Sequence, residues 1–217
     1  MGLMDGAGLR ASLVSFGAVM NACAKAGQAL KAAQWHRTLV RTGFSPNACT
    51  FTALIKAFDK AGDVEGAFRA MQSMEAAGVT ADASTYSCLL HACAKQGQVE
   101  RAKKVFDLMQ EHHIQPNAVS YNVLALAFAK QGMWREAELL GEQLEQQGLW
   151  MNQWFLYALL LSYAAAQPKQ AAKAEAAFVR VMKTGQVRTN KHIVQGLQRA
   201  VGRSRAGLLL RATYADL

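Results

Sequence analysis

The segment "HACAKQGQVERA", from His91 to Ala102, decides the fold because the chain contains three more segments much like it. These are "NACAKAGQALKA", "KAFDKAGDVEGA" and "LAFAKQGMWREA", which begin at Asn21, Lys56 and Leu126. Each of the four copies therefore lies 35 residues from the next. A fixed period of this length is typical of repeat architectures such as solenoids and propellers.

Each repeat is predicted to form two helices. In residues 50–62 the apolar residues follow one helical stripe, which comprises Phe51, Leu54, Ile55 and Phe58. The second helix has a stripe of its own, which comprises Val64, Ala67, Phe68, Met71 and Met74. Gly62 and Gly78 are expected to end the two helices, and His113 replaces the second Gly in the third copy because histidine tolerates positive φ. Neither helix can bury its stripe alone, so neighbouring pairs must stack as an α-solenoid.

Composition allows a substantial core and gives no sign of metal or disulfide chemistry. The chain has 217 residues, of which 52% are hydrophobic, and a net charge of +9. Its four cysteines include no CxxC pair, and Cys23 and Cys93 share a repeat position with Phe58 and Phe128. A position that accepts either Cys or Phe is predicted to lie in the core. The most apolar run, residues 154–166, is shorter than the roughly 20 residues of a membrane span, so no membrane partner is expected.

The repeat phrases identify a family by resemblance. The phrases "SFGAVMNACAKAG", "STYSCLLHACAKQG" and "VSYNVLALAFAKQG", with the repeat ends "GFSPN", "GVTAD" and "HIQPN", closely resemble the pentatricopeptide repeat family. A tetratricopeptide array would instead have a step of about 34 residues and a Gly that none of the four copies has. The expected fold class is all-α, an α-solenoid of stacked antiparallel helix pairs in 35-residue repeats that forms a right-handed superhelix.

The resemblance also predicts the domain organisation. It covers four full repeats, which are residues 13–47, 48–82, 83–117 and 118–152, and a degenerate repeat at 153–190. Residues 1–12 are expected to be the end of an incomplete repeat, as in a fragment of a longer protein. Residues 191–217 are expected to be a partial repeat or a C-terminal cap.

The family binds single-stranded RNA, and the resemblance implies that two residues of each repeat read about one base. The implied pairs are Gly17 with Asn47, Thr52 with Asp82, Ser87 with Asn117, Asn122 with Asn152, and Tyr157 with Asn190 in the degenerate repeat. The family's pairing rules imply guanine for the second pair, adenine for the third and a pyrimidine for the fourth. The second member of each pair also precedes a helix, where Asn and Asp are preferred N-caps, so capping alone is the alternative.

Two further sets of residues are assigned by their repeat positions. The resemblance implies that the residue three positions before the first reading residue of each repeat flanks the bases: Val14, Cys49, Ser84, Val119 and Trp154. Trp154 is expected either to stack on a base or to pack within the apolar run beside it. One lysine per repeat is expected to contact the phosphate backbone: Lys25, Lys60, Lys95 and Lys130. A soluble charged face is the alternative for these lysines.

The predicted function is sequence-selective binding of single-stranded RNA, one base per repeat, without catalysis. The resemblance implies a role in organellar RNA processing, stability or translation, in a mitochondrion or chloroplast, and no targeting segment is predicted in this chain. The alternative is a protein-interaction scaffold that binds a peptide in the solenoid groove, and other proteins remain open as partners. No catalytic residue, metal ligand or cofactor is predicted, because the chain contains no HExxH, GxSxG or P-loop motif. A monomer is expected.

Overall fold

A computed structural model describes the backbone of residues 12–215 and the side chains of residues 12–213. This part of the chain contains twelve helices and no strand. The helices are α1 Leu13–Lys25, α2 Ala29–Arg41, α3 Ala48–Ala61, α4 Val64–Ala76, α5 Ala83–Lys95, α6 Val99–Glu111, α7 Ala118–Lys130, α8 Trp134–Gln146, α9 Gln153–Ala165, α10 Ala171–Lys183, α11 Lys191–Val201 and α12 Arg203–Ala215. The repeat end predicted for residues 1–12 lies, except for Ser12, outside the described residues.

The helices begin and end where local chemistry favours it. The first helix of each predicted repeat begins at that repeat's first residue, directly after an extended N-cap whose side-chain oxygen accepts a backbone N–H. Second helices end near a residue with positive φ, such as Gly78 at 68° after α4. His113 takes the same left-handed conformation after α6, with a φ of 58°, and this confirms its predicted role.

The first compact unit contains α1 to α5 together with residues 104–115. Within it the helices α1, α3 and α5 pack side by side. The helix α2 packs on both α1 and α3, and α4 packs on both α3 and α5. Each second helix therefore closes the core of its own repeat and the core shared with the next one.

The second compact unit contains residues 97–103 and α7 to α12. Here α9 packs between α7 and α11, while α8 packs on α7 and α9 and α10 packs on α9 and α11. The last helix, α12, packs against α10 and α11. The pattern of the first unit is thus repeated, and the predicted all-α solenoid of helical repeats is confirmed.

The core consists of the predicted stripes. In the second repeat Ile55 is fully buried, and Phe51 is 2% exposed. The alanines that recur every 35 residues are all fully buried, which lets neighbouring helices approach closely: Ala32, Ala67, Ala102 and Ala137. Cys23 and Cys93 are buried as free thiols, as expected for a core position. Among the described residues no helix combines the length and apolarity that crossing a membrane requires.

Candidate nucleic-acid interface

The residues predicted to complete the reading pairs of the four full repeats all cap the next helix. Side-chain oxygens of Asn47, Asp82, Asn117 and Asn152 accept backbone N–H groups at distances between 2.8 and 3.1 Å. The cap uses one polar end of each side chain. The amide NH2 groups of the three asparagines and the Oδ2 atom of the aspartate have no hydrogen-bond partner among the described residues. Capping and reading are therefore compatible in one side chain.

The second reading pair is joined by a residue that the sequence reasoning did not single out. The Oγ1 atom of Thr52 lies 2.9 Å from the Oγ1 atom of Thr85, in the first turn of α5. That hydroxyl in turn lies 2.8 Å from Oδ1 of Asp82. Thr52 is 7% exposed and Thr85 is fully buried, whereas Asp82 is exposed, so the hydrogen-bonded series runs from two buried hydroxyls to a carboxylate at the surface.

The direction of both hydrogen bonds in the series Thr52–Thr85–Asp82 is fixed. A carboxylate only accepts, so the Thr85 hydroxyl donates its one proton to Asp82. The Thr85 oxygen must then accept, and the hydroxyl of Thr52 is the donor between the two threonines. Thr52 consequently has only acceptor lone pairs left for any other partner.

Electrostatics keep Asp82 ionised. Burial by itself raises the pKa of its carboxyl, but hydrogen bonds from the backbone and hydroxyl of Thr85, together with the charge of Lys56, more than offset that effect. The net result is that the pKa of Asp82 lies below its ordinary value. Lys56, which the sequence reasoning also missed, places a positive charge near this reading pair.

The first residues of the reading pairs in the other full repeats differ in their surroundings. Gly17 is buried, and the Sγ atom of Cys49 lies 3.9 Å from the point where a side chain at Gly17 would begin. Ser87 donates its hydroxyl proton to the backbone carbonyl of Ala83 at 2.7 Å. Asn122 has a buried Oδ1 atom with no hydrogen-bond partner among the described residues. A buried amide oxygen without a hydrogen bond is costly, so the half-buried Asn122 is an unusual choice for stability at this position.

Side chains of the degenerate repeat are engaged with one another. The amide NH2 of Asn190 donates to Oε1 of Gln153 at 2.9 Å. The rings of Trp154 and Tyr157 lie 5.3 and 5.5 Å, between centroids, from the ring of His192. Both residues of the fifth pair therefore have partners within the protein. Trp154 is 48% exposed and packs against a neighbour at the same time.

The flanking positions and the lysines occupy the surface. Val14 and Val119 are 81% and 57% exposed, unusually high values for apolar side chains, and Cys49 and Ser84 are also exposed. All four predicted phosphate-contacting lysines, Lys25, Lys60, Lys95 and Lys130, are exposed. Such exposure suits residues that contact a ligand.

Two of the lysines also have a structural role. The ammonium of Lys60 donates to the carbonyl of Lys25 at 2.8 Å, and that of Lys95 lies 3.5 Å from the carbonyl of Lys60. Each lysine thus caps the end of the preceding first helix, where the helix dipole favours a cation. An ammonium has three N–H donors, so one cap leaves two for other partners.

Within the described residues no group of three His, Cys, Asp or Glu side chains is placed to hold a metal ion. Burial raises the pKa of the half-buried Cys88 thiol to about 11, which keeps that thiol protonated at neutral pH. The polar chemistry near the predicted readers is therefore the chemistry of hydrogen bonding and charge.

Comparison with solved structures shows where this fold occurs. The crystal structure of the pentatricopeptide repeat protein PPR10 from maize has a TM-score of 0.70 and 24% identity, over 99% of this chain and 31% of that chain. The same protein in complex with an 18-nt psaJ RNA element has a TM-score of 0.68 and 24% identity, over 96% of this chain and 29% of that chain. This chain therefore spans about a third of the length of PPR10.

A third structure resembles the chain over nearly its whole length. The PPR domain of Arabidopsis thaliana protein-only RNase P 1, in complex with tRNA, has a TM-score of 0.69 and 16% identity, over 90% of this chain and 95% of that chain. A comparison with curated protein sequences found no significant match.

Family models match most of the repeat region. A model described as "Pentatricopeptide repeat-containing protein" matches residues 16–91, "Pentatricopeptide repeat domain" matches residues 69–131, and "PPR repeat" matches residues 119–149. Together they cover residues 16–149 without a gap, which is more than half of the chain. The helix pairs described above occupy the same residues. The chain belongs to the pentatricopeptide repeat family.

Proposed function

We propose that the chain binds single-stranded RNA in a sequence-selective manner, with one base read by each full repeat. The observation that carries the proposal is the hydrogen-bonded chain through Thr52, Thr85 and Asp82. It leaves two hydrogen-bond acceptors, Oγ1 of Thr52 and Oδ2 of Asp82, for an outside partner. The PPR10 structure with an 18-nt RNA and the Arabidopsis PPR domain with tRNA support RNA as that partner.

A pair of acceptors favours guanine among the four bases. The Watson–Crick edge of guanine presents two adjacent donors, N1–H and the N2 amino group. Adenine and cytosine each present one donor beside an acceptor, and uracil presents one donor between two acceptors. An acceptor of the protein that faces an acceptor of the base would lose a hydrogen bond and gain repulsion. The second repeat is therefore assigned to guanine, in agreement with the family's pairing rule.

The other full repeats offer different chemistry. The free amide NH2 groups of Asn47, Asn117 and Asn152 are donors, which suits a base acceptor such as N1 of adenine or N3 of cytosine. Following the pairing rules, we assign adenine to the third repeat and a pyrimidine to the fourth. We assign no base to the degenerate repeat, because Tyr157 and Asn190 have partners within the protein.

The positive charge of the chain supplies the part of the affinity that does not depend on sequence. The net charge is +9, and Lys60 and Lys95, exposed at the ends of first helices, each use one N–H donor for a backbone carbonyl and have two more that can meet phosphates. We propose that binding of this kind serves RNA processing, stability or translation in a mitochondrion or chloroplast, as in the family. The proposed function is binding, and no catalytic step is assigned to this chain.

Selection from a random RNA pool, performed with the parent protein and with Asp82→Asn, tests the proposal. An asparagine at this position keeps the cap through its oxygen and places an NH2 donor where Oδ2 was. The pair then offers one acceptor and one donor, so the enriched base should change from guanine to adenine. The ratio of affinities should change by about tenfold or more, as for one good base contact.

Asp63→Asn is the matched control. Asp63 caps α4 by accepting from the backbone N–H of Gly66 at 2.7 Å, and it lies outside every predicted reading position. It undergoes the same change of charge and should leave the enriched sequence unaltered. If the parent and Asp82→Asn proteins enrich the same base, Asp82 is only a helix cap and the protein-interaction scaffold becomes the better assignment.

A further inference from the structure

We propose that Thr85, which is neither of the two reading residues, determines the base preference of the second repeat by fixing the hydrogen of Thr52. The inference rests on the proposed function, since it concerns how the same pair selects its base. Thr85 acts as a positioning residue because it is fully buried and contacts the base only through its two neighbours.

The reason lies in the single proton of a hydroxyl group. Thr85 gives its proton to the Asp82 carboxylate, so its oxygen can only accept from Thr52. If the hydroxyl of Thr85 were absent, the hydroxyl of Thr52 would be free to rotate and to donate to a base. The pair would then offer either two acceptors or one acceptor and one donor. Guanine would lose its advantage over adenine, which needs a donor as well as an acceptor.

The positions equivalent to Thr52 and Thr85 in other repeats show what happens when one of these two hydroxyl groups is missing. In the first repeat Gly17 has no side chain, and the equivalent hydroxyl of Thr50 donates to the carbonyl of Asn47 at 2.9 Å instead. For the fourth repeat the equivalent residue is Phe155, at the start of the degenerate repeat, and it has no hydroxyl at all. The reading residue that would have been its partner, Asn122, has the buried Oδ1 atom without a hydrogen-bond partner among the described residues.

This comparison separates two functions of the third residue of each first helix. The threonines bond to the preceding cap residue, as in an ordinary capping interaction. Only Thr85, among the residues whose hydrogen bonds are described above, also contacts the first reading residue of the preceding repeat. The second contact is the one that fixes the orientation of a base-facing hydroxyl.

The test uses the full chain and two RNA probes that differ only in the base assigned to the second repeat, which is guanine in one probe and adenine in the other. Thr85→Val preserves the shape of the side chain and removes the hydroxyl, whereas Thr85→Ser preserves the hydroxyl. The valine variant should lower the ratio of guanine to adenine affinity by about tenfold, the effect of one hydrogen bond. The serine variant should retain the parent's ratio.

A purely structural role of Thr85 predicts a different result. Loss of the hydrogen bond between Thr85 and the capping residue Asp82 would then weaken binding of both probes equally. An unchanged ratio of guanine to adenine affinity would overturn the inference. A parent protein without a preference for guanine would instead overturn the proposed function itself. The ratio for the third base should stay constant in every variant. If the valine variant does not fold, as judged by thermal unfolding, Thr85→Cys provides a weaker donor at the same position and should lower the ratio in the same direction.

A double-mutant cycle sharpens the result. In a Thr52→Val background no hydroxyl remains for Thr85 to orient, so Thr85→Val should change the ratio of guanine to adenine affinity no further. An equal effect of Thr85→Val in both backgrounds would mean that Thr85 acts independently of Thr52, and the inference would be wrong.

Discussion

The ammonium of Lys60 in α3 donates a hydrogen bond to the backbone carbonyl of Lys25 at the end of α1, over a distance of 2.8 Å. The contact links the ends of consecutive first helices, and Lys95 lies in the same relationship to Lys60. Two exposed ammonium groups are thereby held in place by helix ends. This geometry would suit the proposed binding of a phosphate backbone, since the positions of the charges are set within the protein itself.

The first prediction concerns the salt dependence of RNA binding. If all four repeat lysines contact phosphates, the logarithm of affinity should fall with the logarithm of salt concentration with a slope of roughly −3, at about −0.7 per contact. Replacing both Lys60 and Lys95 by alanine should reduce the slope to about −1.5. Fluorescence anisotropy with a long single-stranded RNA probe, repeated at several salt concentrations, measures this slope.

The control for the lysines is a pair with the same total charge. Lys31 in α2 and Lys103 in α6 are exposed lysines of second helices, away from the ends of first helices. Their double replacement by alanine should change the slope much less. Equal slopes in the two double variants would assign the repeat lysines to capping and solubility alone.

Side chains whose role depends on local sequence were predicted correctly. A 35-residue period and one apolar stripe per helix are properties of consecutive residues, so the α-solenoid and the buried Ala67 followed from sequence. The left-handed His113 followed from its alignment with Gly78. Local sequence also predicted capping, because an Asn or Asp before a helix has few other ways to satisfy the first N–H groups.

Contacts between repeats were not predictable in the same way. Thr52 and Thr85 lie 33 residues apart, and only the packing of α3 against α5 brings their hydroxyls to 2.9 Å. The lysine caps depend on the same stacking. Asn122 was predicted to be a reading residue, but that its Oδ1 atom is buried without a hydrogen-bond partner among the described residues could not be read from the sequence. Base assignments therefore need the geometry of the stack in addition to the two reading residues.

The second prediction concerns the pH dependence of stability. His36 in α2 packs its ring 4.8 Å, between centroids, from that of Phe51, and its Nε2 atom is buried without a hydrogen-bond partner among the described residues. Burial lowers the pKa of His36 below its ordinary value of 6.5. The unfolded chain then binds this proton more readily than the folded chain does. The stability associated with neutral His36 is complete above the unfolded pKa and declines as the pH falls towards the folded pKa.

Methionine is the natural replacement, because Met71 occupies the same position of the second repeat and is buried there. His36→Met should increase the free energy of unfolding by about 1 kcal/mol at neutral pH, by removing a buried unsatisfied polar atom. The gain should be larger at about pH 5.5 than at about pH 7.5, since only the parent takes up a proton there on unfolding. Urea denaturation at both pH values measures the difference. A gain that does not depend on pH would mean that His36 titrates alike in the folded and unfolded chain.

The third prediction compares the first reading residues of two repeats. Thr52→Val removes the hydrogen bond that the buried Thr85 hydroxyl oxygen accepts, so it should lower the free energy of unfolding by about 1 kcal/mol. Asn122→Leu removes a buried amide oxygen that has no hydrogen-bond partner among the described residues, so it should raise that free energy by about 1 kcal/mol. The two substitutions replace equivalent polar residues by apolar ones of similar size, and yet the stability changes should have opposite signs.

Both substitutions should nevertheless impair RNA recognition. Each removes the polar atoms offered to one base, so discrimination should disappear at the second base for Thr52→Val and at the fourth base for Asn122→Leu. A residue that decreases stability and increases specificity is best explained by function, because a core position without a ligand would favour the apolar side chain. Urea denaturation and binding to probes that vary at one base supply the two measurements. If Asn122→Leu stabilises the protein and leaves selection at the fourth base intact, Asn122 does not read RNA.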